Sequence, residues 1–274
     1  MMGRVFAIAR AEMLILRRNW WLVMATGIMV LFALALTFAG SAPSGALGVD
    51  MLTVSVSSMT TLAVYLSPLL ALMMSFDTIA GERDRGTLAL LLTYPAGRGE
   101  ILLGKLLAHV AALGIATTLG LGTAGVVAAM SGGAGMESLT ALARLIVTAT
   151  LLGAVFVVLG YVLSALAKSP AAAAGLAAGL WLVFVVLFDL GLLGAVVMDD
   201  GGFFTRVVFP WIMMANPADA FRVWNIAASD GVAMVSGLGG AAQMLPVWAA
   251  PLSLMVWPFL GFGLARFAFR RLEP

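Results

Sequence analysis

The sequence predicts an all-α membrane protein with six transmembrane helices, both termini in the cytoplasm, and shorter helices at the two membrane surfaces. Hydrophobic residues make up 62% of the chain and charged residues only 10%, whereas soluble domains average about 45–50% and about 25%. Six apolar segments each reach the length of about 20 residues that crosses a hydrocarbon core of about 30 Å. Basic residues are also sorted to one side of these segments, as expected for membrane proteins.

We predict one transmembrane domain covering residues 1–274. Its spans are expected at residues 20–40, 54–76, 101–130, 143–167, 171–194 and 247–265. Residues 3–18 place apolar side chains on one helical arc and arginines mostly elsewhere, which predicts a helix lying in the cytoplasmic interface. A simple basic flank to the first span is the alternative. The apolar run after Arg18 is about 20 residues long, which exceeds the 7–15 of a signal peptide, so we expect no cleavage.

Residues 76–105 form a charged segment between the second and third spans. Four acidic and four basic residues lie in it, and this balance favours docking to a protein over binding to nucleic acid or a lipid surface. Gly81 interrupts the preceding helix, and Pro95 ends the helix that follows. The pattern predicts a short helix across the membrane surface, within a loop at residues 77–100.

The longest polar insertion, residues 195–246, is predicted to lie in the periplasm. Asn216 is a good N-cap, Pro217 fits the first helical position, and Asp219 precedes Arg222 at a spacing that allows a pair. A short helix should therefore start at residue 217. The aromatic residues in and near it indicate that it lies on the membrane or against a partner; they are Trp211, Phe221 and Trp224.

The orientation follows from the distribution of lysine and arginine. With the N-terminus inside, twelve of the 15 basic residues fall in cytoplasmic segments, and only Arg144, Arg206 and Arg222 fall outside. The positive-inside rule therefore places both termini and residues 77–100 in the cytoplasm. We expect a multi-pass protein of the bacterial cytoplasmic membrane.

The run GERDRGTLALLLTYPAGRGEILLGK at residues 81–105 resembles the first cytoplasmic loop of ABC-2 type transporter permeases. In that class, the loop carries the coupling helix that contacts the ATPase subunit. The run NPADAFR at residues 216–222, the chain length and the six-span layout resemble the permeases that serve copper-site maturation of nitrous oxide reductase. The resemblance covers most of the chain, and these two runs are its sharpest parts.

The resemblance implies partners and site residues. The implied partners are a cytoplasmic ABC ATPase of the NosF type, a periplasmic protein of the NosD type, a second copy of this chain and membrane lipids, without nucleic acid. ATP and Mg²⁺ would bind to the ATPase, so we expect no cofactor in this chain. The implied ATPase-coupling residues are Gly81, Glu82, Arg83, Asp84, Arg85, Gly86, Thr87, Leu88, Leu91, Leu92 and Tyr94. The implied periplasmic-partner residues are Asn216, Asp219, Phe221, Arg222 and Trp224.

One motif imitates a nucleotide-binding site. Residues 99–105 match GxxxxGK, the first seven positions of a P-loop, but Leu106 stands where Ser or Thr must supply a Mg²⁺ ligand. The run also opens a membrane span, whereas a P-loop joins a strand to a helix. Because the sequence also shows no Ser-His-Asp set and no paired carboxylates, we expect no enzymatic activity in this chain.

Three kinds of residue within the spans have two interpretations each. His109, the only histidine, is expected to pack or hydrogen-bond within the bundle, and a proton or metal role is the alternative. Asp189 has no obvious basic partner, so a solvated carboxylate and a functional one fit equally well. We interpret the 17 methionines as packing residues, because they are not clustered as in a Cu(I) site, and we expect no metal site.

Gly175 and Gly179 form a GxxxG pair in the fifth predicted span. Such pairs allow two helices to approach closely. We expect them to pack within one subunit, and a contact between two copies of the chain is the alternative.

The sequence leaves two other functions open. An ABC-2 exporter of a lipophilic or drug-like solute shares every membrane feature, but it needs an apolar central cavity and no dedicated outer partner. An ion-coupled secondary transporter needs ionisable residues at mid-membrane and usually an internal repeat, and the sequence shows almost none of the former and no convincing repeat. For the permease itself, transport of a solute and mechanical transmission to an outer partner both fit the sequence, and the candidate solutes are copper, a sulfur species, a lipid or a drug.

Overall fold

A computed structural model describes residues 2–39, 50–199, 202–227, 230, 232–233 and 245–272, and this part of the chain contains helices and no strands. The helices are α1 (Met2–Arg17), α2 (Trp20–Ala39), α3 (Met51–Ser75), α4 (Ala80–Asp84), α5 (Thr87–Thr93), α6 (Arg98–Gly132), α7 (Met136–Leu166), α8 (Pro170–Asp199), α9 (Phe204–Ala215), α10 (Pro217–Ala227) and α11 (Ala249–Arg270). Six of them are long and apolar enough to cross a membrane, namely α2, α3, α6, α7, α8 and α11. This confirms the predicted all-α fold with six spans.

Several spans are longer than predicted. α7 begins at Met136 instead of near residue 143, α8 continues to Asp199, and α11 continues to Arg270. The polar residues at these helix ends are typical of loops, which is why the sequence analysis predicted shorter spans. A helix terminus accommodates them, because its first and last turns have free backbone groups that bind polar partners. The predicted loop after the first span lies mostly outside the described residues.

α3 and α7 occupy the centre of the bundle, and α7 is the most buried of the six long helices. Its large side chains Phe156 and Tyr161 are fully buried. α2, α8 and α11 lie at the periphery and expose most of their apolar side chains. Such exposure suits lipid, because lipid tails are as apolar as leucine. The central pair therefore holds the bundle together.

Both described ends of the chain lie at the same end of the bundle. Arg98, at the start of α6, donates hydrogen bonds to the carbonyl oxygens of Phe269 and Arg270 at the end of α11, at 2.6 and 2.9 Å. α1 packs along the same end of α6. We name this the loop end, because α4 and α5 also lie there, and we name the opposite one the hairpin end.

α9 and α10 form a helical hairpin that enters the bundle. At its tip, the Asn216 side chain donates to the carbonyl oxygen of Phe184 at 2.7 Å, halfway along α8. That carbonyl belongs to a π-helical turn, Val183–Leu187. In a π-helical turn the backbone hydrogen bonds join residues five positions apart instead of four. Farther along α10, the Asn225 amide donates to Thr148 on α7 at 2.9 Å. The hairpin is therefore anchored to two spans.

The prediction for residues 195–246 needs correction. It treated the whole segment as lying beyond the spans, but α8 continues to Asp199, and the hairpin at residues 204–227 packs against α7, α8 and α11. Most polar groups of NPADAFR have hydrogen-bond partners within the protein, which allows their burial, and one oxygen of Asp219 is the exception. Residues 200–201, 228–229, 231 and 234–244 lie outside the described part of the segment.

Asp50 joins two helices at the hairpin end. Its carboxylate accepts the N–H of Thr53 at 2.7 Å and caps α3, and it also accepts the Gly135 N–H and the Ser138 hydroxyl at the start of α7, both at 2.9 Å. Burial raises the pKa of Asp50, but the backbone bonds from Thr53 and Gly135 outweigh it and leave the pKa below its ordinary value. The charged form is therefore the stabilising one.

We predict that Asp50→Ala lowers the free energy of unfolding by about 1–2 kcal/mol, because it removes an N-cap and the link to α7. Thermal unfolding of the purified full chain in detergent measures this. Asp50→Asn is the matched control, since asparagine also caps well. In the wild type, the contribution is present above the ordinary aspartate pKa of about 3.9 and is lost as the pH falls below it. Equal thermal midpoints for wild type and Asp50→Ala would contradict the assignment.

Candidate functional site

The charged segment forms α4 and α5, which lie against the loop end of the bundle. The N–H groups of Ile79 and Ala80 both donate to the Ser164 hydroxyl on α7 at 2.9 Å, so a side chain from another helix caps α4. Arg83 donates to the carbonyl oxygen of Ala167, just beyond α7. Gly86 then turns the chain into α5 with a φ of 71°, a left-handed conformation that glycine adopts without a Cβ clash. The segment is thus fastened to α7.

Lys105 is the buried cation beneath this segment. Its Nζ lies 2.8 Å from the Glu12 carboxylate on α1 and 2.8 Å from the Glu82 carboxylate on α4, and its side chain is only 5% exposed. Removing charges from water costs several kcal/mol per ion, and close contacts of this kind repay that cost. One side chain on α6 therefore ties α1 and α4 together.

Glu82 was predicted to contact the ATPase, but its carboxylate is directed inward to Lys105. By contrast, the ion pair of Arg85 with Asp77 at 3.3 Å is at the surface, where both side chains are at least 40% exposed. Such an exposed pair contributes about 0–1 kcal/mol. Arg85 is therefore available to a partner at little cost, whereas Glu82 is not.

The residues that imitate a P-loop have structural roles here. A Cβ at Gly104 would lie 2.7 Å from the Cγ2 of Ile8 and 2.9 Å from the carbonyl oxygen of Val5, so this glycine lets α1 cross close to α6. Lys105, the next residue, holds carboxylates and not a phosphate. The GxxxxGK spacing thus reflects a helix crossing with an ion cluster beside it.

His109 extends the polar contacts into the bundle. Its ring nitrogens lie 2.8 Å from the carbonyl oxygen of Lys105 and 2.9 Å from that of Met74 near the end of α3. The hydroxyl of Tyr161 on α7 lies 2.9 Å from Nδ1. The interpretation of His109 as a hydrogen-bonded core residue is confirmed. Together, Lys105 and His109 link α1, α3, α4, α6 and α7, and we name these two residues with Glu12, Glu82 and Tyr161 the loop-end cluster.

The structure divides the predicted coupling residues by exposure. Exposed ones are Asp84, Arg85, Gly86, Thr87 and Tyr94; half-buried ones are Glu82, Arg83, Leu91 and Leu92; buried ones are Gly81 and Leu88. Leu88 is 2% exposed and belongs to the hydrophobic core, whereas Leu90, which the sequence analysis did not select, is 63% exposed. The run LALLL does not show which leucine faces inward. The outer surface of the segment is thus formed by charged side chains around Leu90 and Tyr94.

A cavity of about 480 Å³ separates α1 from this segment. One side is an apolar face of α1 with Ala7, Ala11 and Ile15, and the other includes Leu91 and Tyr94. Glu12, Glu82 and Lys105 also line it. The cavity therefore gives a ligand or partner segment access to the loop-end cluster.

At the hairpin end, a second charged cluster lies between α8 and α10. Arg222 donates to Asp189 at 3.0 Å and to Asp219 at 3.0 Å. Asp189 therefore has a basic partner, which the sequence analysis did not find because the two residues are far apart in sequence. Asn216 caps α10 by accepting the Ala218 N–H at 3.0 Å, which agrees with its predicted capping role.

The burial of α10 restricts the predicted contact with a periplasmic partner. Asn216, Asp219 and Phe221 are each at most 1% exposed, whereas Arg222 and Trp224 are half-buried. Only the latter two are accessible among the predicted residues. The partner surface stays a prediction, and the Phe221 side chain is a packing residue in this arrangement.

Gly175 and Gly179 both lie on an exposed face of α8. A Cβ at either position would meet no atom within 4 Å. The expectation that they pack against another helix of the same subunit is therefore wrong, and the alternative of a contact between copies remains.

Comparison with known proteins gives matches over nearly the whole chain. The model of the family described as "ABC-2 family transporter protein" matches residues 6–273. A relative in Pseudomonas aeruginosa named "Probable ABC transporter permease protein NosY" is 40% identical over 271 residues, covering 97% of this chain and 98% of the relative. A relative with the same name in Stutzerimonas stutzeri is 39% identical over 274 residues, covering 98% and 99%.

We predict that Lys105→Met destabilises the protein by about 3–5 kcal/mol, because it leaves two partly buried carboxylates without a cation. The triple variant with Glu12→Gln and Glu82→Gln should recover much of this loss. Thermal unfolding in detergent provides the measurement, and Arg85→Ala, which breaks an exposed ion pair, should change stability by less than about 1 kcal/mol. Similar losses for Lys105→Met and Arg85→Ala would show that the cluster contributes no special stability.

Proposed function

The chain belongs to the ABC-2 family of transporter permeases and closely resembles NosY, and we propose that it converts ATP hydrolysis by a separate ATPase into movement of its helices. ABC permeases are the membrane subunits of such transporters, and this chain is a multi-pass protein of the bacterial inner membrane. The observation that carries the proposal is the loop-end cluster, which connects an exposed docking surface to three membrane spans. Nucleotide binding and hydrolysis belong to the partner in this proposal.

The docking surface consists of Asp84, Arg85, Thr87, Leu90 and Tyr94. An exposed leucine and tyrosine surrounded by charges of both signs are typical of a small protein interface. The adjoining cavity offers an apolar groove between α1 and α5 that side chains of the ATPase can enter. We propose that the ATPase covers Leu90 and Tyr94 and inserts beside Ile15. Opposite charges then set its orientation.

The loop-end cluster provides a physical route for the movement. A displacement of α4 pulls on Glu82, and Lys105 transfers the force to α6 and, through Glu12, to α1. His109 carries it from α6 to α3 and α7 through hydrogen bonds at 2.9 Å. Packed cores and ion clusters switch between discrete arrangements, so a small shift at the surface becomes a change in helix packing.

The name of the relatives supports a more specific role. We propose that the chain acts with a cytoplasmic ATPase and a periplasmic protein in copper-centre maturation of nitrous oxide reductase. The described residues contain no group of three or more His, Cys, Asp or Glu side chains that could hold a metal ion. We therefore assign metal handling to the partners. Export of a lipophilic solute is the alternative, and recovery of the ATPase without a periplasmic protein on purification from native membranes would favour it.

We also propose that two copies associate through α8. The face containing Gly175 and Gly179 is exposed, and no described residue packs against these two glycines. Leu176 and Leu182 on the same helix are 47% and 43% exposed. Small residues let two helices approach closely in a membrane, where dispersion and not the hydrophobic effect drives association.

We predict that Leu90→Asp together with Arg85→Glu reduces ATPase binding by at least about tenfold, a change of about 1.4 kcal/mol, while insertion and folding are kept. Co-purification of the ATPase and its stimulated ATP hydrolysis measure the effect. Arg270→Glu is the matched control, because it reverses an exposed charge at the same end of the bundle, outside the docking surface. Normal binding and coupled activity in the double variant would refute the proposed surface.

The absence of cysteine allows a direct test of the dimer. We predict that Gly175→Cys forms a disulfide between two copies on mild oxidation in native membranes, because the α8 faces meet. Leu119→Cys is the matched control, since that side chain is 50% exposed on α6, away from α8. Cross-linking at residue 119 and not at residue 175 would place the contact elsewhere.

A further inference from the structure

α10 carries a buried carboxylate with one unsatisfied oxygen. The Asp219 side chain is 2% exposed, and its Oδ1 accepts from Arg222 at 3.0 Å. Its Oδ2 is buried and has no hydrogen-bond partner in the described structure. An ionised oxygen buried without a donor is expensive, since it loses its hydration and gains nothing in return.

The cluster around Asp219 contains more negative than positive charge. Nη1 of Arg222 lies 3.0 Å from both Asp189 and Asp219, so the two acidic oxygens are at most about 6 Å apart. Nη2 of Arg222 also donates to Asp189, at 3.0 Å. Asp189 thus takes two N–H groups and is 33% exposed. The two N–H groups of Arg222 compensate its charge, which leaves Asp219 as the uncompensated carboxylate.

Charged groups on the neighbouring helices do not compensate the excess negative charge around Asp219. α3 contains no charged residue from Met51 to Ser75. On α7, Arg144 interacts with Glu137. The arginines of α11 lie at the loop end, where Arg266 is beside Gly99. The charged groups that act on Asp219 are Asp189 on α8 and Arg222 on α10 itself, and the neutral Asn216 side chain also interacts with it.

We propose that Asp219 is a proton-binding site. At neutral pH a proton occupies Oδ2, so the carboxylate becomes a neutral carboxylic acid and its O–H becomes a donor, with Asp189 as the neighbouring acceptor. One guanidinium then faces one carboxylate, and the cluster is neutral. Binding involves only the proton and forms a single O–H bond.

The proton favours the docked hairpin. When it leaves, a second negative charge remains in a buried position, and the packing of α10 weakens. The contribution to stability is therefore present at low pH and is lost as the pH rises through the value at which folded Asp219 releases its proton. Because the hairpin tip is bonded to α8 through Asn216 and Phe184, the proton also affects how firmly α8 is held. The site does not depend on the proposed ATPase coupling.

Infrared spectroscopy of the full chain, purified with its ATPase, tests the protonation directly. We expect a carboxylic acid C=O band at neutral pH that shifts on labelling with carboxyl-¹³C aspartate and disappears in Asp219→Asn. Asp50→Asn is the control and should keep the band. An unchanged band in Asp219→Asn, or the absence of an aspartate-dependent band in the wild type, overturns the proposal. The label identifies the residue type even if the variant does not accumulate.

The pH dependence of thermal unfolding is the second measurement. We expect the wild-type midpoint to fall by roughly 3 °C or more as the pH rises from about 6 to about 9. The Asp219→Asn midpoint should change by less than half as much, because asparagine keeps the neutral form. Equal pH dependence in the two proteins argues against a bound proton, and so does a dependence on sodium concentration in place of pH.

Discussion

The loop end of this protein depends on one constraint, the need to pair a buried lysine. Lys105 lies inside a helix bundle where a free charge is unfavourable, and it is stabilised only while Glu12 and Glu82 are both within reach. That requirement determines where α1 crosses α6 and how α4 is placed. Gly104 follows from it, because a side chain at this position would separate the two helices. The proposed docking surface is attached to this cluster, so its proposed movement is coupled to the spans.

The hairpin end also has a cluster of one cation and two carboxylates, but the hydrogen bonds are divided differently between the two carboxylates. There, too, one cation lies between two carboxylates, but Asp219 keeps an oxygen without a donor. At the loop end, Lys105 donates to both of its carboxylates, whereas Arg222 directs most of its contacts to Asp189. The first cluster is suited to transmitting force, and the second is suited to binding a proton. Both connect a short helix to the long spans that it contacts.

Much of the site was predictable from local sequence. Pro95 marked the end of a short helix, and Asn216 marked the start of α10, because the backbone preferences of these residues act over a few positions. The ion clusters were not predictable in the same way. The ion pairs Asp189–Arg222 and Glu12–Lys105 form only when the chain folds. The residues are far apart in sequence, and no local pattern indicates that their side chains meet. The same limitation applies to NPADAFR, which was predicted to contact an outer partner, whereas Asn216, Asp219 and Phe221 are buried within the protein.

The sequence by itself determined the class of the protein, its six spans and the position of its charged loop, because apolar length, charge sorting and turn residues are local properties. Only the tertiary structure decided which side of each helix faces the protein. In a membrane, the lipid-facing and core-facing sides of a helix are both apolar, so hydrophobic periodicity hardly distinguishes them. On the short surface helix α5 the cause is different, because the run LALLL places leucine on several sides of the helix, and the sequence alone does not show that Leu88 is buried and Leu90 exposed. The lipid-like surface of α8 is also why only the folded chain shows that no described residue packs against Gly175 and Gly179.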